Sequence, residues 1–122
     1  MKTFIVIGAI AMALGVVLGA FGAHGLKARL TPDLLAVYQT GVEYHLYHAL
    51  GLILVGILVV QFPHVSGLKV GGWLLLAGIL VFSGSLYVLA ITGVRWLGAI
   101  TPIGGLAFIV GWTWIAWSLA RG

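Results

Sequence analysis

The chain has 122 residues, 62% of them apolar and 7% charged, with six Lys or Arg against one Asp and one Glu and a net charge of +4. A soluble domain carries roughly a quarter of its residues as charge, so this composition excludes one. With 19 Gly and a strongly positive mean hydropathy, it indicates an integral membrane protein of closely packed helices.

The cations stand singly at Lys2, Lys27, Arg29, Lys69, Arg95 and Arg121, so no basic patch exists and nucleic acid is not an expected partner. The absence of Cys removes disulfides and thiolate chemistry together. Four spans of about 20 residues fit the length and leave no room for an extramembrane domain.

The first apolar run, residues 3–23, follows Lys2. It exceeds a signal-peptide core of roughly 7 to 15 residues. Its Ala11, Gly15 and Gly19 recur every fourth position, the spacing that aligns small residues where another backbone approaches. It reads as a first transmembrane helix rather than a cleavable leader, with a stripe suited to self-association.

Thr31, Pro32 and Asp33 form a helix start: a hydroxyl cap, a proline where no donor is needed, and an acid at the positive end of the dipole. From there to Phe62 nothing stops the helix. Those 30 or so residues span roughly 45 Å, more than a bilayer core of about 30 Å needs. The first part, residues 32–43, is therefore expected to be an amphipathic interfacial helix. Leu34, Val37, Tyr38, Gly41 and Val42 form its apolar stripe, with Ala36, Gln39, Thr40 and Glu43 turned away. The span proper is 44–62.

A turn with Pro63 leads to a third span, 70–91, which begins at Gly67 or Val70. Gly93 to Gly98 read as a loop, and Thr101 with Pro102 as the cap and first residue of a fourth span, 102–120. Trp73, Trp96 and Trp117 fall near span ends, as an interfacial aromatic belt requires, and Trp112 lies nearer mid-depth, where packing between helices is the expectation. With four spans, Lys2, Lys69 and Arg121 share one side and Lys27, Arg29 and Arg95 the other. That is a tie under the positive-inside rule. Both termini are expected in the cytoplasm, since the span count is even and the interfacial helix then lies on the outer surface.

Ionisable groups at membrane depth are costly and are the first place to seek function. On the side of the first and third loops lie His24, Glu43, Tyr44, His45, Tyr47, His48 and Arg95. His48 lies about 6 Å inside the start of its span. Tyr87 lies at a similar depth, above Ser83 and Ser85. The predicted cluster is His24, Glu43, Tyr44, His48, Ser83, Tyr87, Arg95 and Thr101. His45 and His48 at i, i+3 would offer two nitrogens to a divalent ion with His24 or Glu43 as a third ligand, but no H-E-x-x-H spacing is present. A proton or ion relay through His48 and Glu43 lacks a polar track to the opposite face. Hydrolysis lacks a G-x-S-x-G elbow. The favoured reading is that these groups satisfy one another and the backbone and so fix the helix arrangement.

Four strings carry a family resemblance: Gly19-Ala20-Phe21-Gly22-Ala23-His24-Gly25, Thr40 to Leu50 with its Glu43-Tyr44-His45-Leu46-Tyr47-His48, Phe82-Ser83-Gly84-Ser85-Leu86-Tyr87, and Thr101-Pro102-Ile103-Gly104-Gly105 with Gly111-Trp112. Together, and in this order, they resemble the DUF423 family of small membrane proteins, which includes bacterial inner-membrane members and the eukaryotic transmembrane protein 256 group. The resemblance implies location and fold but no reaction. It also implies that a metal site built on His45 is not a family trait, because the family often has Gln there. The expectation is thus an all-α membrane protein, four transmembrane helices in a bundle, with the second extended by an interfacial segment. It is expected to be structural or envelope-maintaining, non-enzymatic, without cofactor or metal, residing in the inner (plasma) membrane with the lipid bilayer and a second copy of itself as partners. The rival is a small-ligand or ion-binding protein using the His24, Glu43 and His48 cluster.

Overall fold

A computed structural model describes residues 2–122. Its helices are α1 (Thr3–Leu26), α2 (Pro32–Gln61), α3 (Gly67–Thr92) and α4 (Thr101–Arg121), the last preceded by a 3-10 turn at Arg95–Ala99. All four are long and apolar enough to cross a membrane. Among the described residues there is no strand.

Helix α1 lies along α2, α4 lies along α3, and α2 and α3 pack on each other in the middle. The fold is thus two antiparallel hairpins joined back to back through their inner helices. Side chains such as Val6, Ile10, Val17, Leu54, Leu80, Ile103 and Ile109 are exposed and make the apolar shell that lipid covers. Toward the chain termini the interior is built from Phe4, Leu52, Val55, Leu68, Leu75, Ile79, Phe108 and Ile115. Toward the other end it is Leu26, Tyr38 and Ala90.

The start of α2 follows from its residues. Thr31 Oγ1 accepts from the Leu34 N–H at 3.4 Å, with Pro32 in the first turn. Tyr38 and Gly41 are buried and Leu34, Val37 and Val42 half-buried, while Ala36, Gln39, Thr40 and Glu43 are exposed, as the period of 3.6 requires. Helix α3 stops at Gly93, whose φ of 73° lies in the left-handed region that favours glycine.

Glycines elsewhere admit large side chains from neighbouring helices. A Cβ on Gly51 would stand 2.9 Å from the Trp112 ring, one on Gly41 2.9 Å from that of Tyr87, and one on Gly72 2.7 Å from that of Phe4. Interfaces built from small residues let membrane helices approach without leaving voids.

Three expectations need correction. The small-residue stripe of α1 does not face outward. Gly15 lies against Leu46 and His45, Gly19 against Val42, and Gly8 against Ile53 and Ala49, so α2 already fills the groove that self-association was to use. Thr101 does not cap α4, because its hydroxyl bonds Ser85 instead. The segment Gly93 to Gly98 is not a plain loop but runs into the 3-10 turn. Two π-helical turns, Gly22–Leu26 in α1 and Ile79–Ser83 in α3, leave no mark in the hydrophobic periodicity. A π turn holds one residue more than the α period allows and occurs often where side chains must be re-aimed.

Candidate functional site

The polar interior is centred on His45. Helix α2 carries it to the middle of the bundle, where it is 6% exposed. Its Nε2 lies 2.7 Å from the Ala11 carbonyl of α1, and its Nδ1 lies 2.8 Å from the Tyr87 hydroxyl of α3. A carbonyl only accepts, so in the neutral ring Nε2 donates to Ala11 and Nδ1 accepts from Tyr87. Glycine makes both approaches possible: Gly15 sits against the imidazole, and Gly41 against the Tyr87 ring.

Beside this pair the wholly buried Ser83 donates to the Gly41 carbonyl at 2.7 Å. Ser85 donates to the Phe82 carbonyl at 2.9 Å, so at 2.6 Å it accepts from Thr101 of α4, for which the Leu97 carbonyl at 3.4 Å is the longer alternative. Tyr38 donates to the Leu18 carbonyl at 2.5 Å. Both serines flank the end of the π turn, which aims one at α2 and the other at α4. Every sequential pair of helices is thereby joined by a buried or half-buried polar bond, and among the described residues no fully buried side-chain nitrogen or oxygen lacks a partner.

Of the predicted cluster, Ser83, Tyr87 and Thr101 enter this network. His48 and Tyr44 do not. His48 Nδ1 donates to the Tyr44 carbonyl at 2.8 Å, and its ring stacks on Phe108 with centroids 3.6 Å apart. Tyr44 lies over Phe82 at 4.7 Å. His24 and Glu43 are exposed, Glu43 at the edge of a groove of about 360 Å³ floored by Gly19, Gly22 and Ala23. Glu43 and His48 are five residues apart, about 140° around the helix, so they do not face each other. Arg95 turns away to an exposed ion pair with Asp33 at 2.9 Å, which ties the 3-10 turn to the start of α2. In that first turn of α2, beyond the apolar stretch, the Thr31 hydroxyl and then the Arg95 guanidinium hold the Asp33 carboxyl down at about 2.

His45 is the residue that the cluster omitted, and its signal was present. The stripe of Tyr38 and Gly41 continues through His45, His48, Ala49 and Leu52, all buried. His45 and His48 do not converge as ligands: one points to α1 and α3, the other to α4. Among the described residues no three His, Asp or Glu side chains form a metal-holding group. The hydroxyls of Ser83 and Ser85 are committed to carbonyls rather than to a base.

The DUF423 family model, described as "Protein of unknown function (DUF423)", matches residues 18–105. The chain is 52% identical over 115 residues to the UPF0382 membrane protein YwdK of Bacillus subtilis (strain 168), covering 94% of each. It is 50% identical over 112 residues to the UPF0382 membrane protein SH2409 of Staphylococcus haemolyticus (strain JCSC1435), covering 92% of this chain and 90% of that protein. It is 49% identical over 114 residues to the UPF0382 membrane protein SSP2132 of Staphylococcus saprophyticus, covering 92% of each. No solved structure is significantly similar.

Proposed function

The chain belongs to the DUF423 family and is a multi-pass membrane protein, and from that premise we propose that its role is structural. It is a non-enzymatic component of the inner (plasma) membrane whose buried polar bonds hold four helices in one register and so maintain the envelope. The observation that supports this reading most is the chain of bonds from the Ala11 carbonyl through His45 to Tyr87, joined by Ser83 to Gly41 and Ser85 to Thr101. Such groups are expensive to bury alone and specify one arrangement when all are satisfied. Both termini lie in the cytoplasm in this proposal. Self-association would use the outer faces of α1 and α4, the α1 stripe being filled by α2.

The rival, a ligand or ion site on His24, Glu43 and His48, would have to join the exposed His24 and Glu43 to His48, which is buried against Phe108. Thermal unfolding of detergent-purified protein tests the choice. His45→Ala is expected to lose about 1 to 3 kcal/mol, because it strips partners from buried polar groups. His45→Gln is expected to retain most of the stability, since an amide supplies one donor toward Ala11 and one acceptor toward Tyr87. Divalent cations are expected to leave the wild-type Tm unchanged. A His45→Ala variant as stable as wild type, or a cation that raises the wild-type Tm and fails to raise that of His48→Ala, overturns the structural reading.

A further inference from the structure

Two cavities meet on the outer side of α4. The first, of about 360 Å³, lies where the turn before α3 comes beside the end of α4, and its walls include His64, Ser66, Trp114, Trp117, Ser118 and Arg121. The second, an apolar groove of about 510 Å³, continues toward mid-membrane between Ile109, Val110, Thr113, Trp114 and Trp117. Trp114 and Trp117 belong to both. The sequence makes them one furrow. Ile109, Thr113, Trp117 and Arg121 stand four residues apart, and Val110, Trp114 and Ser118 form the next such row, so the two rows run as parallel ridges along the helix. From Ile109 to Arg121 the furrow covers about 18 Å, close to half of a hydrocarbon core of about 30 Å. That is the depth of one lipid leaflet.

The furrow changes chemistry along its length. At the deep end Ile109 and Val110 offer only hydrocarbon, and the Thr113 hydroxyl donates to the Ile109 carbonyl at 2.7 Å. At the shallow end stand hydrogen-bond donors and a cation. Gly67 lets the start of α3 close on α4 here, for a Cβ on it would collide with the Ser118 hydroxyl and stand 3.2 Å from the Trp114 indole nitrogen. Both of those donors therefore lie on the α3 side of the furrow. The Arg121 guanidinium sits over the Trp117 ring, 5.7 Å from its centroid. Stacking uses the flat face of a guanidinium and keeps its in-plane N–H fork for an acceptor such as a phosphate. Lys2, Lys69 and Arg121 share this end of the bundle, whereas both acidic residues of the chain, Asp33 and Glu43, lie in the half of α2 nearer the other end. An occupant that suits the whole furrow has an anionic, acceptor-rich head at the membrane surface and a hydrocarbon tail one leaflet long.

We infer that this furrow binds one anionic glycerophospholipid, with its phosphodiester against Arg121, Ser118 and the Trp114 N–H and an acyl chain along Trp117, Thr113 and Ile109. A zwitterionic lipid brings an ammonium to a cationic end and is disfavoured. A free phosphate gains the donors but none of the apolar contact. The site stands outside the polar interior, and the inference goes beyond the structural role proposed above. The lipid fills a furrow of α4 and leaves the outer face of α1 for a second copy.

The test uses the full chain in a mild non-ionic detergent, titrated with dioleoyl phosphatidylglycerol, with dioleoyl phosphatidylcholine and with inorganic phosphate, the bound species being counted by native mass spectrometry. Phosphatidylglycerol is expected to give a single tight adduct and to bind about tenfold more tightly than phosphatidylcholine, the range of one charge-assisted hydrogen bond. Arg121→Gln is expected to remove that preference. Thr113→Phe fills the groove from an exposed position, and is expected to weaken phosphatidylglycerol about tenfold while the preference persists. Equal wild-type affinity for the two lipids, an unchanged preference in Arg121→Gln, or unchanged binding in Thr113→Phe each overturns the proposal. Displacement of phosphatidylglycerol by inorganic phosphate assigns the cavity to a water-borne anion and overturns the lipid. A second measurement needs no variant. Phosphatidylglycerol with a mid-chain diazirine is expected on photolysis to label residues 109–117, and label spread evenly over the outer faces of all four helices overturns the assignment.

Discussion

Gly15 and His45 work as a pair in which one supplies chemistry and the other supplies room. A Cβ at position 15 would stand 2.6 Å from a Leu46 methyl and 3.3 Å from the imidazole edge, so a larger side chain there displaces Leu46 and crowds the imidazole. Gly15→Leu is therefore expected to cost about 1 to 3 kcal/mol by overpacking, read as a lower Tm in detergent, with no change in the size-exclusion profile because the stripe faces α2 and not a second copy. An unchanged Tm would place the stripe against lipid. The value of Gly15 was legible from spacing alone. That of His45 is legible there only as a buried position on the α2 stripe, because a histidine read alone suggests a ligand in need of other ligands, whereas here both its nitrogens join helices. Following the buried stripe of α2 past Gly41 reaches it directly and leaves Glu43 on the outside.

Two glycines with open space around them show how an element decides the sign of a substitution. Neither Gly84 nor Gly93 has any atom within 4 Å of a hypothetical Cβ. Gly84 is helical, so Gly84→Ala is expected to leave Tm unchanged or raise it by an amount equivalent to about 0.4 to 1 kcal/mol. Gly93 ends α3 with φ 73°, so Gly93→Ala is expected to destabilise by about 1 to 2 kcal/mol. Parallel thermal melts of the two variants check this, and shifts of the same sign would contradict the assigned helix end. The long helices were legible because length and apolarity alone define a span. The π turn at Ile79–Ser83 was not: it inserts one residue without a proline, a charge or a polar break to mark it. The hydroxyl of Thr101 misled for a related reason, since a threonine before a proline signals a cap locally while a serine sixteen residues earlier competes for it in the folded bundle.

At the scale of the molecule, the three cations at each end leave orientation nearly undetermined by charge. Reporter fusions at Gly122 are expected to read cytoplasmic, and replacing Lys27 and Arg29 with Ala is expected to sharpen that signal; a periplasmic reading would reverse the assignment. The two-hairpin packing has a further consequence for how the molecule is made. Each hairpin enters and leaves the membrane on the same side, with α1 packed on α2 and α4 packed on α3 within its own half. The turn between Phe62 and Gly67 then serves only as a tether. Two polypeptides ending and beginning between Pro63 and His64, co-expressed, are expected to insert separately and to co-purify as one complex with the intact chain's thermal profile, the surfaces of α2 and α3 being enough for reassembly. Recovery of unassociated halves would show that assembly depends on their covalent nearness. If the halves do associate, this bundle is a dimer of hairpins that happens to be encoded as one chain, and its middle turn is the place where the gene tolerates interruption.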